Sequence, residues 1–150
     1  MYGLKHLQRL SIIARGRRIA EPDFTDPLFA NVTHLEIIAD GDTWTTWSPQ
    51  WFSRLPCMTH LALSFEGDAR VANLDELYAL PSSLKVLAVL AHNDFVSRAT
   101  LDLVSENFDD PRVAFMREGN HLLDWLGGLR GEQDMWIRAA NIVMAQSGSV

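Results

Sequence analysis

Cysteine is almost absent from this chain, with Cys57 alone among 150 residues. No disulfide can therefore form within it, and a reducing compartment suits it. Long apolar runs are missing as well. The longest, residues 86–91, falls far short of the roughly 20 residues a membrane-crossing helix needs. Positive charge is in deficit, with a formal net charge of −6. That balance disfavours general binding to nucleic acid or to an anionic membrane, since neither polyanion attracts an acidic surface, and it leaves a basic protein partner as the better match.

The amino terminus runs against that balance. Lys5, Arg9, Arg15, Arg17 and Arg18 all precede the first acid, Glu21, a composition shared with mitochondrial transit peptides. Against that reading, Leu7, Leu10, Ile12 and Gly16 occupy columns of an internal repeat, which a cleaved leader has no reason to do. The stretch 10–14 is interrupted by Ser11 and followed by three arginines, unlike a secretory signal. The expected location is intracellular, in cytoplasm or nucleus, with mitochondrial targeting the secondary alternative.

The repeat dominates the remainder of the chain. Leu10, Leu35, Leu61, Leu87 and Val113 recur at spacings of 25, 26, 26 and 26 residues. Ile12, Ile37, Leu63, Val89 and Phe115 follow two residues on, and Gly16, Gly41, Gly67, Asn93 and Gly119 six residues on. Alternation of apolar and other residues marks each unit as a strand, with the aligned leucines on one face. Gly or Asn at the exit suits a turn with positive φ. About fifteen residues then remain before the next strand, enough for the crossover that parallel neighbours require.

Helix signals fall in the crossovers. Asp26-Pro27 and Ser48-Pro49 each put a capping residue before a proline suited to the first helical position. Asn73 precedes Leu74, Leu77 and Leu80, and residues 94–106 have room for two or three turns. Beyond Gly119 the pattern changes. A short helix carrying Leu122, Leu123, Trp125 and Leu126 is expected to end at Gly127-Gly128. A longer one over 132–146 carries Met135, Trp136, Ala139, Ile142 and Val143 as an amphipathic stripe. The expected architecture is α/β: a leucine-rich-repeat-like solenoid over 1–119, with a curved five-stranded parallel sheet and outer helices, then a C-terminal helical cap over 120–150 on the same domain.

The stretches Leu28-Phe-Ala-Asn-Val-Thr-His-Leu35 and Leu55-Pro-Cys-Met-Thr-His-Leu61, with Arg130-Gly-Glu-Gln-Asp-Met-Trp-Ile-Arg-Ala139, carry a family resemblance. The chain resembles the leucine-rich-repeat superfamily, in the longer-period variety found in F-box-type adaptors and divergent fungal proteins. The resemblance implies a solenoid that presents a binding surface, such as the substrate-recognition part of an F-box-like adaptor.

Three groups of residues are candidates for function. The face opposite the leucines reads Arg9, His34, His60, Val86, Arg112 in its first column and Ser11, Glu36, Ala62, Ala88, Ala114 in its second. Ile13, Ile38, Ser64, Leu90, Met116 form its third. Small residues in the middle column let a partner approach closely, and the third column is an apolar stripe. Arg9, Ile13, His34, Glu36, Ile38, His60, Leu90, Arg112 and Met116 are therefore the expected partner-binding residues. A second copy of the chain, or an N-terminal segment of a longer parent, is the alternative cover for the stripe. His34 and His60, side by side on adjacent strands, invite a transition metal, but only Glu36 is near enough to join them, and an exposed pair inherited from the repeated Thr-His-Leu unit is the better account. The exit turns gather an acidic rim of Asp40, Asp42, Glu66, Asp68 and Asp94, suited to a cation or a basic segment. Trp44, Trp47 and Trp51 share a helical spacing and read as packing residues, and Cys57 has no base beside it to activate its thiol.

A non-enzymatic protein–protein interaction module without a cofactor is the expectation, with neither nucleic acid nor membrane as partner. Two alternatives accompany it: a metal-dependent hydrolase using Glu66, Asp68, His92 and Asp94 on the rim, and a structural subunit of a larger, mitochondrial assembly.

Overall fold

The computed structural model describes residues 7–14, 20–40, 51–66, 81–92, 110–118 and 121–148. Five strands form one sheet: β1 (Arg9–Ala14), β2 (His34–Asp40), β3 (His60–Glu66), β4 (Val86–His92) and β5 (Val113–Glu118). They lie in sequence order and every neighbouring pair is parallel. The repeat columns become rows across the sheet. Leu10 pairs with Leu35, Leu35 with Leu61, Leu61 with Leu87 and Leu87 with Val113, with no residue of slip anywhere.

That register gives each face a uniform character. Leu35, Ile37, Leu61, Leu63, Leu87, Val89 and Val113 are buried on the first face, and Phe24, Phe29, Leu55 and Met58 from the connections pack onto them. The repeat reaches further than the strands. Val32, Met58 and Leu84, each three residues ahead of its aligned leucine, are fully buried in the same core. Between that column and each strand runs a second recurring device. The carbonyl of Gln8 accepts from the N–H groups of Thr33 and His34, that of Thr33 from Thr59 and His60, and that of Thr59 from Lys85 and Val86. One oxygen per unit thus pins the next strand at its start, and register follows.

Asp26-Pro27 starts a helical turn as expected: the Asp26 carboxylate accepts from Leu28 N–H at 2.8 Å. The turn is a single 3-10 one, Pro27–Phe29, rather than an α-helix. A second 3-10 turn spans Trp51–Arg54. Ser48-Pro49, the 73–80 stripe, the 94–106 segment, Trp44 and Trp47, and the turn column Gly16, Gly41, Gly67, Asn93 and Gly119 lie outside the described residues.

Two α-helices follow the sheet: α1 (His121–Leu129) and α2 (Met135–Ser147). Gly127-Gly128 does not end α1, which runs through both to Leu129. The reversal is made at Gly131, with φ 75° in the left-handed region, where a side chain would be strained. The Asp134 carboxylate then caps α2 by accepting from Ile137 N–H at 3.0 Å, so this helix starts three residues later than the 132 expected. Arg138 grips Asp124 through two hydrogen bonds, of 2.8 and 2.6 Å, joining the helices.

The position of α2 corrects the expectation of an end cap. It lies across the second face of the sheet rather than on the last strand's edge. Asp134 meets Arg9 at the start of β1, Trp136 touches the first residues of β2 and β3, and the helix packs on β4 and β5. At its far end the Gln146 amide nitrogen, in the orientation that satisfies its neighbours, donates to the carbonyls of Val113 and Pro111. Met135, Trp136 and Ala139 join Ala62, Val86, Ala88, Leu90, Ala114 and Met116 in a second buried cluster, with Ile142 and Val143 alongside. The sheet is therefore covered on both faces, an α/β arrangement. No helix among the described residues is long and apolar enough to cross a membrane.

Candidate functional site: the face beneath the C-terminal helix

The sheet face expected to be free is largely interior. Ile38 is 1% exposed, Leu90 0%, Met116 8% and Glu36 1%. The physical reason for Leu90 and Met116 is α2 itself. Its apolar stripe needs a surface, the Ala62, Ala88 and Ala114 column offers one without bulk, and both belong to the same chain. The close approach anticipated for a partner is made by the chain's own helix. Arg9 and Ile13, both on β1, keep substantial exposure, with 48% of the Arg9 side chain and 56% of Ile13 accessible.

His34 and His60 are brought together as the register requires, His34 opposite His60. Their rings stack with centroids 4.1 Å apart and planes 9° from parallel. Trp136 stands nearly perpendicular to both, with its centroid 5.1 Å from His34 and 6.0 Å from His60. The repeated Thr-His dipeptide sets their hydrogen bonding. Thr33 Oγ1 lies 3.1 Å from the Gln8 carbonyl and 2.9 Å from His34 Nδ1. Thr59 Oγ1 lies 3.3 Å from the Thr33 carbonyl and 2.8 Å from His60 Nδ1. A carbonyl only accepts, so each hydroxyl donates to it and receives the Nδ1–H of the neighbouring ring. Both imidazoles are thereby assigned as Nδ1–H tautomers, with Nε2 as the free base.

Burial and neighbouring positive charge hold the pair neutral. His34 is pushed down to about 4, first by burial, then by the proximity of His60 and Arg9, with Asp134 opposing. His60 is also lowered, by burial and then by Lys85 and Arg9. Stacking does not favour a shared metal, because the in-plane lone pairs of parallel rings run side by side rather than converge. Among the described residues no group of three or more His, Cys, Asp and Glu side chains is placed to hold a metal ion.

Arg112 is a structural clamp in the same row. It donates to the Asp110 carboxylate, with Nη2 to Oδ2 at 2.6 Å, and its Nη1 reaches the carbonyls of Pro81 at 3.1 Å and Leu84 at 3.2 Å. The carboxylate holds Arg112 above its ordinary value, and Arg112 in turn lowers Asp110. This arginine stitches the start of β5 to the segment entering β4. On the acidic rim, Asp42, Asp68 and Asp94 lie outside the described residues, and Asp40 and Glu66 end β2 and β3 with their backbones alone described. His92, which ends β4, stands likewise. Cys57 is exposed and free.

Sequence reasoning missed Trp136 and Asp134 as members of this site. The signal was present: an aromatic and a capping acid at the head of an apolar stripe, in a chain that also carried an uncovered apolar row. No protein-family model, curated protein or solved structure matches the chain.

Proposed function

We propose that this chain is a non-enzymatic protein–protein interaction module of leucine-rich-repeat-like solenoid build, of the kind that serves as the recognition part of an F-box-like adaptor. The observation that carries the reading is the construction of the second sheet face. Its small-residue column and flanking apolar positions already seat an amphipathic helix, α2, and helix-in-groove docking is a common mode of protein recognition. At β1, beside the head of α2, Arg9 and Ile13 remain accessible, so a partner meets the exposed β1 side first. The net charge of −6 favours a partner with a basic surface.

The test is affinity purification from the source cells with the intact chain and with an Ile13→Asp variant, which leaves the Arg9–Asp134 tie in place, both checked for a cooperative melt. A protein recovered in stoichiometric amount by the first and lost by the second is the expected result. Equal recovery by both, or no stoichiometric partner, removes the proposed surface.

A further inference from the structure

The pair His34 and His60 sits where α2 is held to the sheet, and its surroundings are arranged to make a proton there disruptive. The Thr33 and Thr59 hydroxyls occupy both Nδ1 positions, so an added proton goes to Nε2. Protonating both rings puts two like charges in a stack whose centroids are 4.1 Å apart. Arg9 reaches over from β1, Lys85 approaches from the segment before β4, and Asp134 at the head of α2 supplies the opposing charge. Asp134 is already engaged by Arg9 at 2.9 Å and by the Ile137 N–H. Glu36 lies two positions along the same face of β2, and Arg112 beyond Val86 is held by Asp110.

Relief of that charge has one direction. The backbones of the two histidines cannot separate, because β2 and β3 are hydrogen-bonded along their length, and the Thr33 and Thr59 hydroxyls hold each ring in its place in the stack. Both histidines are half-buried, so full hydration of the charged rings requires Trp136 to move off them, and Trp136 belongs to α2. The helix is attached to the sheet by side chains, without backbone ladders, so it opens before the strands do.

We propose that the stacked His34–His60 pair is a proton-operated latch: neutral, it holds Trp136 and so keeps α2 on the sheet face, and protonated, it releases α2 and uncovers the Ala62, Ala88, Leu90, Ala114 and Met116 surface. As a control on partner access, the latch rests on the interaction reading given above. As a motion of α2, it stands independently of any partner.

Amide hydrogen exchange on the intact chain, corrected for intrinsic rates and followed from pH 7.5 to 4.5, tests it. Protection of α2 is expected to fall at least 10-fold while β3 amides stay protected. In a His34→Gln, His60→Gln variant α2 protection is expected to stay level. That variant retains Asp134, so any acid loss it shows counts against the pair. An NMR titration of the wild-type imidazoles keeps the proposal testable if the variant fails to fold, and both rings should titrate below 6.5. The proposal is overturned if α2 and β3 lose protection together, if α2 protection does not depend on pH, or if both imidazoles titrate at an ordinary value. Such a failure leaves the interaction reading intact, because no partner enters the measurement.

Discussion

Replacing Gly128 by alanine isolates the contact that starts α2. A Cβ at Gly128 meets Asp134 Oδ2 at 2.8 Å and Asp134 Cβ at 3.1 Å. Asp134 cannot swing aside freely, since Oδ1 caps Ile137 N–H at 3.0 Å and Oδ2 holds Arg9 at 2.9 Å. Moving it forfeits an N-cap, about 1 kcal/mol, and a half-exposed ion pair of about 0.5 kcal/mol. Alanine in a helix returns up to about 1 kcal/mol over glycine, less so near the end of α1. The net expectation is a protein between unchanged and about 1 kcal/mol less stable. Gly127→Ala is the reference, because its Cβ meets only the flexible Glu132 side chain, at 3.3 Å, and the same propensity gain should appear there. Urea melts followed by circular dichroism should therefore rank Gly128→Ala below Gly127→Ala by about 1 to 2 kcal/mol. In an Asp134→Gly background, which removes the obstructing atoms while leaving a tolerated capping residue, that gap should nearly close. Equal stability of the two alanine variants in the native background, or a gap that survives Asp134→Gly, refutes the account.

Leu61→Ala, in the centre of the first core, should cost about 2 to 5 kcal/mol in a denaturant melt, and a loss under 1 kcal/mol would mean the site collapses without a cavity. Trp136→Ala should raise amide exchange throughout α2 while β2 to β4 keep their protection. Uniform change across both would show that the helix and sheet open as one unit. Ile38→Asp combined with Leu90→Asp puts two charges among fully buried side chains, and soluble, cooperatively melting protein is not expected from it. Stability should depend on pH through His34 and His60, whose folded values lie below the unfolded 6.5. The contribution is fully present above pH 6.5 and is lost as pH falls toward the folded value of about 4 for His34. Discounted for partial exposure, the loss amounts to about 1 to 3 kcal/mol, and its absence from a pH series of melts would show that the pair is not desolvated.

The strands and their register were legible because three columns repeated at one period, and a parallel sheet turns a shared period directly into rows. The Thr-His repeat was legible as a column, but stacking under an indole was not, since the indole comes from a segment 76 residues beyond His60. Read separately, the stripe Met135, Trp136, Ala139, Ile142 and Val143 looks like an end cap and the row ending in Leu90 and Met116 like an open face, whereas in the fold each covers the other. Gly127-Gly128 misled for a related reason. Glycine is the usual helix stop, yet Gly128 is small because Asp134 packs on it, a contact that local sequence rules do not see.

Helix α2 also works as a length standard. Its 13 residues measure about 20 Å at 1.5 Å per residue, and five strands at about 4.8 Å spacing span about 19 Å. Asp134 fastens one end at β1 and Gln146 the other at β5. Arrays of identical units have no intrinsic stopping point and vary easily in number by duplication. Here a strand inserted between β1 and β5 would leave the helix one interval short, parting either the Arg9 tie or the Gln146 tie, and the loss of one would leave about one helical turn overhanging. The width of the five described strands is thus matched to the length of a single non-repeating element, which ties the first of them to the last.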